Sequence, residues 1–159
     1  MKVIIVTGSV GSGKTTLSKR LARKLNYGYI DVNKLIKENK LYSNYNRKFK
    51  SYEVDVKILN KFLVKFLKNK DNLVLDSHLS HYLPAKYVDY CIVCKCKLKE
   101  LRKRLEKRNY SELKIKENLD SEIFDVCLVD ALENKHNVII IDTTKKTVKK
   151  YVNEILKKL

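Results

Sequence analysis

The feature that most constrains this chain is a glycine-rich loop near its start. Residues 8–15, GSVGSGKT, fit the pattern G-x-x-x-x-G-K-[ST] and follow the apolar run Val3–Thr7. Glycines allow successive backbone N–H groups to turn inward as a cradle for phosphate oxygens, and the helix that begins near Lys14 directs its positive end there. The motif predicts a strand, a phosphate-binding loop (P-loop) and a helix, in that order.

Each residue type in this loop can contribute to the binding of a nucleoside triphosphate. Gly11 and Gly13 shape the cradle, and the Lys14 ammonium can reach the β- and γ-phosphates. The Thr15 hydroxyl can ligate magnesium, and Thr16 can contact the α-phosphate. We therefore predict a nucleotide-binding and magnesium-binding site here.

An acidic partner for magnesium follows a second apolar run. Asp76 ends the stretch 72–76, NLVLD, which places it at the carboxyl edge of a strand, where open sheets bind ligands. Two residues later His78 completes an Asp-x-His pattern. His78 can position a water, accept a proton, bond to a phosphate or have a purely structural role.

Three arginines lie within residues 102–108 and offer forked donors that match the geometry of phosphate oxygens. Helical spacing puts Arg104 and Arg108 on one face. We predict that Arg108, at the end of this helix, contacts the transferred phosphate. Arg104 can do so too or pair with a neighbouring glutamate, and Arg102 is expected on the surface.

The rest of the chain alternates between strand-like and helix-like segments, which predicts a single α/β domain over residues 1–159 with a five-stranded parallel sheet and helices on both faces. The predicted strands are Val3–Thr7, Tyr29–Val32, Leu73–Leu75, Val88–Cys94 and Val138–Ile141. The predicted helices are Lys14–Leu25, one beginning in Leu35–Asn39, Val54–Leu67, Lys97–Arg108, Ser111–Glu133 and Thr147–Leu159. Residues 40–52 are expected to be irregular. Within Val54–Leu67 one apolar stripe is predicted from Ile58, Leu59, Phe62, Leu63, Phe66 and Leu67.

Composition and charge limit the partners and the cellular location that are expected. The 159 residues carry a net charge of +17, which favours anionic partners such as nucleotides and RNA. No apolar run approaches the ~20 residues of a membrane span, and the first apolar run leads straight into the P-loop. We therefore expect a cytoplasmic protein that does not contact membranes.

Cysteines and two further histidines suggest no separate site. Cys91, Cys94 and Cys96 follow a C-x-x-C-x-C spacing that permits zinc, but no second ligand pair follows, and the apolar run is typical of a buried strand with reduced thiols. His81 and His136 are expected on the surface.

The placement of the inserts favours a kinase over a GTPase. The guanine-reading pattern N-K-x-D is absent, since residues 33–36 read NKLI. A polar insert lies between strands two and three, and a short basic insert lies between two later helices. Small nucleotide kinases place their acceptor segment and lid at these positions.

Residues 8–16, the Asp76-x-His78 pattern, RLEKRNY at 104–110 and NLDSEIF at 118–124 resemble the adenylate kinase isoenzyme 6 family over nearly the whole chain. The resemblance implies a three-layer P-loop nucleoside-monophosphate kinase fold and transfer of phosphate from ATP to AMP with magnesium, accompanied by ATP hydrolysis tied to His78. It implies an AMP segment over about 29–52 and a lid over about 107–117. Family members also act in maturation of the small ribosomal subunit, where they bind a ribosomal protein and rRNA.

The AMP segment departs from the family pattern. Lys37 stands where an arginine is common, and the usually acidic stretch is basic at 45–50, YNRKFK. Arg47 can take over the phosphate clamp, or this loop can face RNA. Residues 142–144, DTT, are expected at the adenine edge or as a helix cap.

Three functions stay open from these residues. The first is an adenylate kinase with ATPase activity, and the second is an ATP-switched ribosome assembly factor with residual kinase activity. The third is a kinase for another acceptor, such as CMP or an RNA end. We expect a monomer or a complex with other chains.

Overall fold

A computed structural model describes residues 1–145 and 147–159. The strands are β1 (Val3–Gly8), β2 (Gly28–Asp31), β3 (Asn44–Asn46), β4 (Ser51–Glu53), β5 (Leu73–Asp76), β6 (Tyr90–Lys95) and β7 (Val138–Asp142). The helices are α1 (Lys14–Leu25), α2 (Val32–Glu38), α3 (Val56–Leu67), α4 (Leu98–Glu106), α5 (Glu112–Ile123), α6 (Val126–Glu133) and α7 (Val148–Leu156), with short 3-10 helices at Ser80–Tyr82 and Ala85–Tyr87. Among the described residues no helix has the length and apolar character needed to cross a membrane.

Five strands form one parallel sheet in the order β2-β5-β1-β6-β7. Because all five run in the same direction, their carboxyl ends share one edge, and the P-loop leaves that edge from the central strand β1. The register pairs Val6 of β1 with Asp76 of β5. The predicted α/β class with a five-stranded parallel sheet is confirmed.

Helices cover both faces of this sheet, as predicted. Neighbouring strand residues point to opposite faces, so Ile5 joins the core under α2, α3 and α6, whereas Ile4 and Val6 join the core under α1 and α7. A third, smaller cluster joins α4 to α5 through Leu101 and Leu105. This burial on both sides explains why the strands are continuous apolar runs.

Two segments differ from the sequence prediction. Residues 40–52 are not wholly irregular, because β3 and β4 pair there as an antiparallel hairpin. The predicted helix Ser111–Glu133 is two helices, which separate at Phe124 and Asp125. The backbone of Asp125 lies in the left-handed region, with φ of 53°, which ends the helical path.

His81 and His136 are buried, at 2% and 7% exposure, so the prediction of surface positions is wrong. Polar partners make their burial possible: His81 Nδ1 lies 2.8 Å from the Thr7 hydroxyl, and His136 Nε2 lies 2.9 Å from the His81 carbonyl. His81 Nε2 also lies 3.3 Å from a carboxylate oxygen of Asp130. Burial lowers the pKa of His81, against the opposing effect of Asp130.

The cysteines are free and buried, as the apolar run predicted. Burial raises the pKa of both Cys91 and Cys94 to about 12, which keeps them as neutral thiols. In the part of the chain that the structure describes, no group of three or more His, Cys, Asp or Glu side chains is placed to hold a metal.

One residue of the apolar stripe predicted on α3, Ile58, lies outside the core. Leu63 is fully buried, whereas Ile58 is 55% exposed. Leu63→Ala should therefore lower the free energy of unfolding by about 2–5 kcal/mol, because it leaves a cavity. Ile58→Ala should change the same quantity by less than about 0.5 kcal/mol. Urea denaturation of both variants measures the difference, and equal losses would contradict the placement of α3.

Candidate active site

The P-loop follows β1 through a glycine that no other residue can replace without strain. A Cβ atom at Gly8 would lie 2.4 Å from the Cys94 carbonyl oxygen, and its φ is 139°. Gly13 caps the start of α1 in the left-handed region, with φ of 86°. Gly11 is buried against Leu101 and Leu105 of α4. The loop is thus held between the sheet edge and α4.

Lys14 is placed at the first turn of α1 and reaches back over the loop. Its Nζ donates a hydrogen bond to the Ser9 carbonyl at 2.9 Å. Burial lowers the pKa of Lys14, and the positive charge of Arg108 acts in the same direction. A phosphate anion in the loop would offset both effects, because it stabilises the charged ammonium.

Asp76 is 3% exposed and is held by two hydroxyl groups. Tyr29 Oη donates to Asp76 Oδ2 at 3.0 Å, and the Thr15 hydroxyl bonds to the same carboxylate. Burial raises the pKa of Asp76, while these hydrogen bonds and Lys14 lower it. Thr15 and Asp76 supply the hard oxygen ligands that magnesium prefers, so they fit the ion together with phosphate oxygens.

His78 lies close to the lysine of the loop. Its side chain is exposed at the edge of the site. Desolvation by the protein atoms around the ring and the positive charges of Lys14 and His81 lower the pKa of His78 to about 4. The imidazole is therefore neutral at neutral pH and can accept a proton or a hydrogen bond.

The three arginines have different surroundings. Arg102 is exposed and pairs with Glu106 and Glu112. Arg104 pairs with Glu100, and its guanidinium also donates to the Thr143 carbonyl at 2.8 Å. No carboxylate pairs with Arg108 among residues 1–145 and 147–159, and its charge acts on Lys14. Of these three arginines, Arg108 is thus the one most available to a bound anion.

The predicted adenine edge lies against the P-loop. Thr143 Oγ1 donates to the Ser12 carbonyl at 2.7 Å, and a Cβ atom at Gly13 would lie 4.0 Å from Thr143 and 3.8 Å from the Arg104 guanidinium. Asp142 accepts a hydrogen bond from the Thr144 backbone. This side of the loop therefore combines a guanidinium plane with backbone polar groups.

The basic and aromatic side chains of the predicted AMP segment lie on an exposed surface. Lys37, near the end of α2, places its Nζ 5.5 Å from the ring centre of Tyr52 in β4. Tyr52 also contacts Tyr42 and Tyr45, with ring centres 4.5 and 5.1 Å apart. Arg47 lies exposed in the turn between β3 and β4. We call Tyr42, Tyr45 and Tyr52 the tyrosine cluster.

The structure thus brings Lys14, Thr15, Asp76, His78 and Arg108 to one place. Thr16 is exposed on the first turn of α1, so its phosphate contact stays a prediction. Sequence reasoning missed two supporting residues. One is Tyr29, which lies in β2 beside β5, and the other is Glu122 of α5, whose carboxylate reaches the P-loop. Knowledge of the strand order would have indicated Tyr29.

A P-loop at the carboxyl edge of a parallel sheet, with its lysine beside a buried aspartate, is the arrangement of P-loop nucleotide-binding enzymes, kinases among them. A family model described as an AAA domain matches residues 4–125. A protein of Methanocaldococcus jannaschii named "Putative adenylate kinase" is 40% identical over 153 residues, covering 96% of this chain and 83% of that protein. A Pyrococcus furiosus protein of the same name is 42% identical, covering 97% and 82%. The chain belongs to this family of adenylate kinase-like P-loop kinases.

A solved structure supports the fold on its own. The crystal structure of shikimate kinase from Bacteroides thetaiotaomicron matches with a TM-score of 0.62 and covers 99% of both chains. Their sequence identity is 19%, so this likeness concerns the fold alone.

The low pKa of His78 provides a test of the site's electrostatics. Lys14→Met removes a nearby positive charge, which favours the imidazolium form, so the pKa of His78 should rise from about 4 toward the ordinary 6.5. NMR titration of the imidazole ring protons measures it. Lys24→Met, at an exposed position of the same helix, should leave the titration unchanged. An unchanged His78 titration in Lys14→Met would contradict the arrangement.

Proposed function

We propose that the protein is an adenylate kinase of the isoenzyme 6 type, which transfers the γ-phosphoryl group of ATP to AMP. The observation that carries the proposal is the position of Lys14 over the P-loop beside the Thr15–Asp76 pair, with Arg108 near enough for its charge to lower the pKa of Lys14. The names of the relatives support the choice of adenylate over other nucleotides.

Phosphoryl transfer needs positioning and charge stabilisation more than a side-chain nucleophile. Lys14 keeps one hydrogen bond to the Ser9 carbonyl and directs its remaining donors to the β- and γ-phosphates, and Arg108 neutralises charge that develops on the transferred group. An AMP phosphate oxygen attacks the γ-phosphorus while the bond to the β-phosphate oxygen breaks, which yields two ADP. Magnesium, held by Thr15 and Asp76 when bound, would neutralise phosphate oxygens.

The acceptor phosphate is assigned to the basic groups of the segment 29–52. Lys37 and Arg47 are the candidate clamp, and the lid is assigned to residues 107–117, which join the end of α4 to the start of α5. Arg104 and Thr143 are assigned to the adenine of ATP, because they border Gly13. A cytoplasmic location and a single domain remain predictions from the sequence.

The test compares ADP produced from ATP plus AMP with phosphate released from ATP alone, on one preparation. ADP formation should exceed hydrolysis by at least about 100-fold, because the bound acceptor replaces a bimolecular attack by water. CMP in place of AMP tests the other acceptor. If AMP adds nothing to turnover and phosphate still accumulates, adenylate kinase activity is refuted.

Loss of the Arg108 side chain should lower activity more than loss of an equal positive charge elsewhere on the surface. Arg108→Ala should lower kcat/KM for ADP formation by at least about 100-fold, since the guanidinium acts on the developing phosphate charge. Lys103→Ala removes the same charge from an exposed position of α4 and should change kcat/KM less than about twofold. Steady-state kinetics of both variants makes the comparison. Equal effects would remove Arg108 from the proposed mechanism.

A second candidate function is an ATP-switched assembly factor that acts in small-subunit maturation, with a ribosomal protein and rRNA as partners. The tyrosine cluster favours it, because exposed aromatic rings beside Lys37, Arg47 and Lys48 suit stacking on unpaired bases. In this case neutral His78 would orient a water for hydrolysis, and added RNA rather than AMP would stimulate phosphate release.

A further inference from the structure

Glu122 is a buried carboxylate that the proposed chemistry does not use. It lies near the end of α5 and is 6% exposed. Its Oε2 accepts a hydrogen bond from the Ser9 hydroxyl at 2.6 Å, and its Oε1 accepts one from the Cys96 backbone at 2.9 Å. Residues 113 positions apart in the chain thus meet directly behind the P-loop.

The charge of Glu122 is compensated within the protein. Lys95 Nζ lies 3.1 Å from Glu122 Oε1 and also pairs with Asp125, at the junction of α5 and α6. Unpaired burial of a carboxylate is unfavourable, whereas this one has three partners on its two oxygens. Its position is therefore well defined.

Ser9 connects Glu122 to Lys14, the lysine of the P-loop. The Ser9 side chain is held by Glu122, and the Ser9 carbonyl accepts hydrogen bonds from Lys14 Nζ at 2.9 Å and from the Ser12 backbone at 3.1 Å. A shift of Ser9 would therefore move both the Lys14 ammonium and the backbone of the loop.

We propose that Glu122 is a positioning residue for ATP, which acts through Ser9 to hold the P-loop and Lys14 in their binding geometry. It also connects the P-loop to α5, the helix whose first turns we assign to the lid. The effect on turnover rests on the proposed function, but the effect on nucleotide binding does not.

Two substitutions test the contact without changing the charge of the site. Ser9→Ala removes the hydroxyl, and Glu122→Asp shortens the side chain and withdraws the carboxylate from Ser9. Each should raise the Kd for magnesium-ATP about tenfold, a typical loss when a supporting partner of a site is removed. The double variant should bind no more weakly than the weaker single variant, because both remove the same interaction.

Isothermal titration calorimetry gives the Kd values, and steady-state kinetics separates KM for ATP from KM for AMP. KM for ATP should rise with the Kd, while KM for AMP should stay within about twofold. Glu133→Asp, an equal shortening at an exposed position of α6, is the matched control and should bind ATP as the unmodified protein does. Thermal denaturation of each variant measures stability in parallel.

Three results would overturn the proposal: unchanged Kd values with only a lower melting temperature, a changed Kd in one single variant alone, or losses that multiply in the double variant. Should the unmodified protein bind ATP but fail to phosphorylate AMP, the proposed function fails while the Kd comparison still decides the role of Glu122. If Glu122→Asp does not fold, Ser9→Ala still decides: a Kd within about twofold of the unmodified protein refutes the role.

Discussion

The parallel pairing of β1 with β5 is the constraint on which the site depends. It places Val6 opposite Asp76, so the loop that leaves β1 and the carboxylate that ends β5 emerge at the same edge. The approach of Gly8 to the Cys94 carbonyl on the other side of β1 leaves no room for a side chain. The P-loop is therefore built on the central strand, with its acidic neighbour already in place.

The electrostatics of this edge fit an anionic ligand. Burial lowers the pKa values of Lys14 and His78 and raises that of Asp76, so the charged form of each group is less stable here than it would be in water. A triphosphate with a metal ion would provide partners for these groups, since it would bring both negative and positive charge into the site. The charged forms of these groups are thus less stable in the protein alone than they would be in its complex with the nucleotide.

Features that depend on neighbouring residues could be predicted from the sequence, whereas features that depend on residues far apart in the chain could not. The P-loop, the strand before it and the helix after it depend on neighbouring residues, and the helix Lys14–Leu25 was predicted to the residue. The break at Asp125 was missed, because its left-handed backbone has no glycine to signal it. His81 was placed on the surface because its partners Thr7 and Asp130 lie far away in sequence.

The sequence by itself determined the fold class and the phosphate-binding chemistry, because glycine spacing and apolar runs act over a few residues. Only the tertiary structure decided which groups support that chemistry. The contacts from Tyr29 to Asp76, from Thr7 to His81 and from Ser9 to Glu122 span 47, 74 and 113 positions of the chain. Local patterns carry no information about such pairs, because strand order and helix packing bring them together only when the whole sheet has formed.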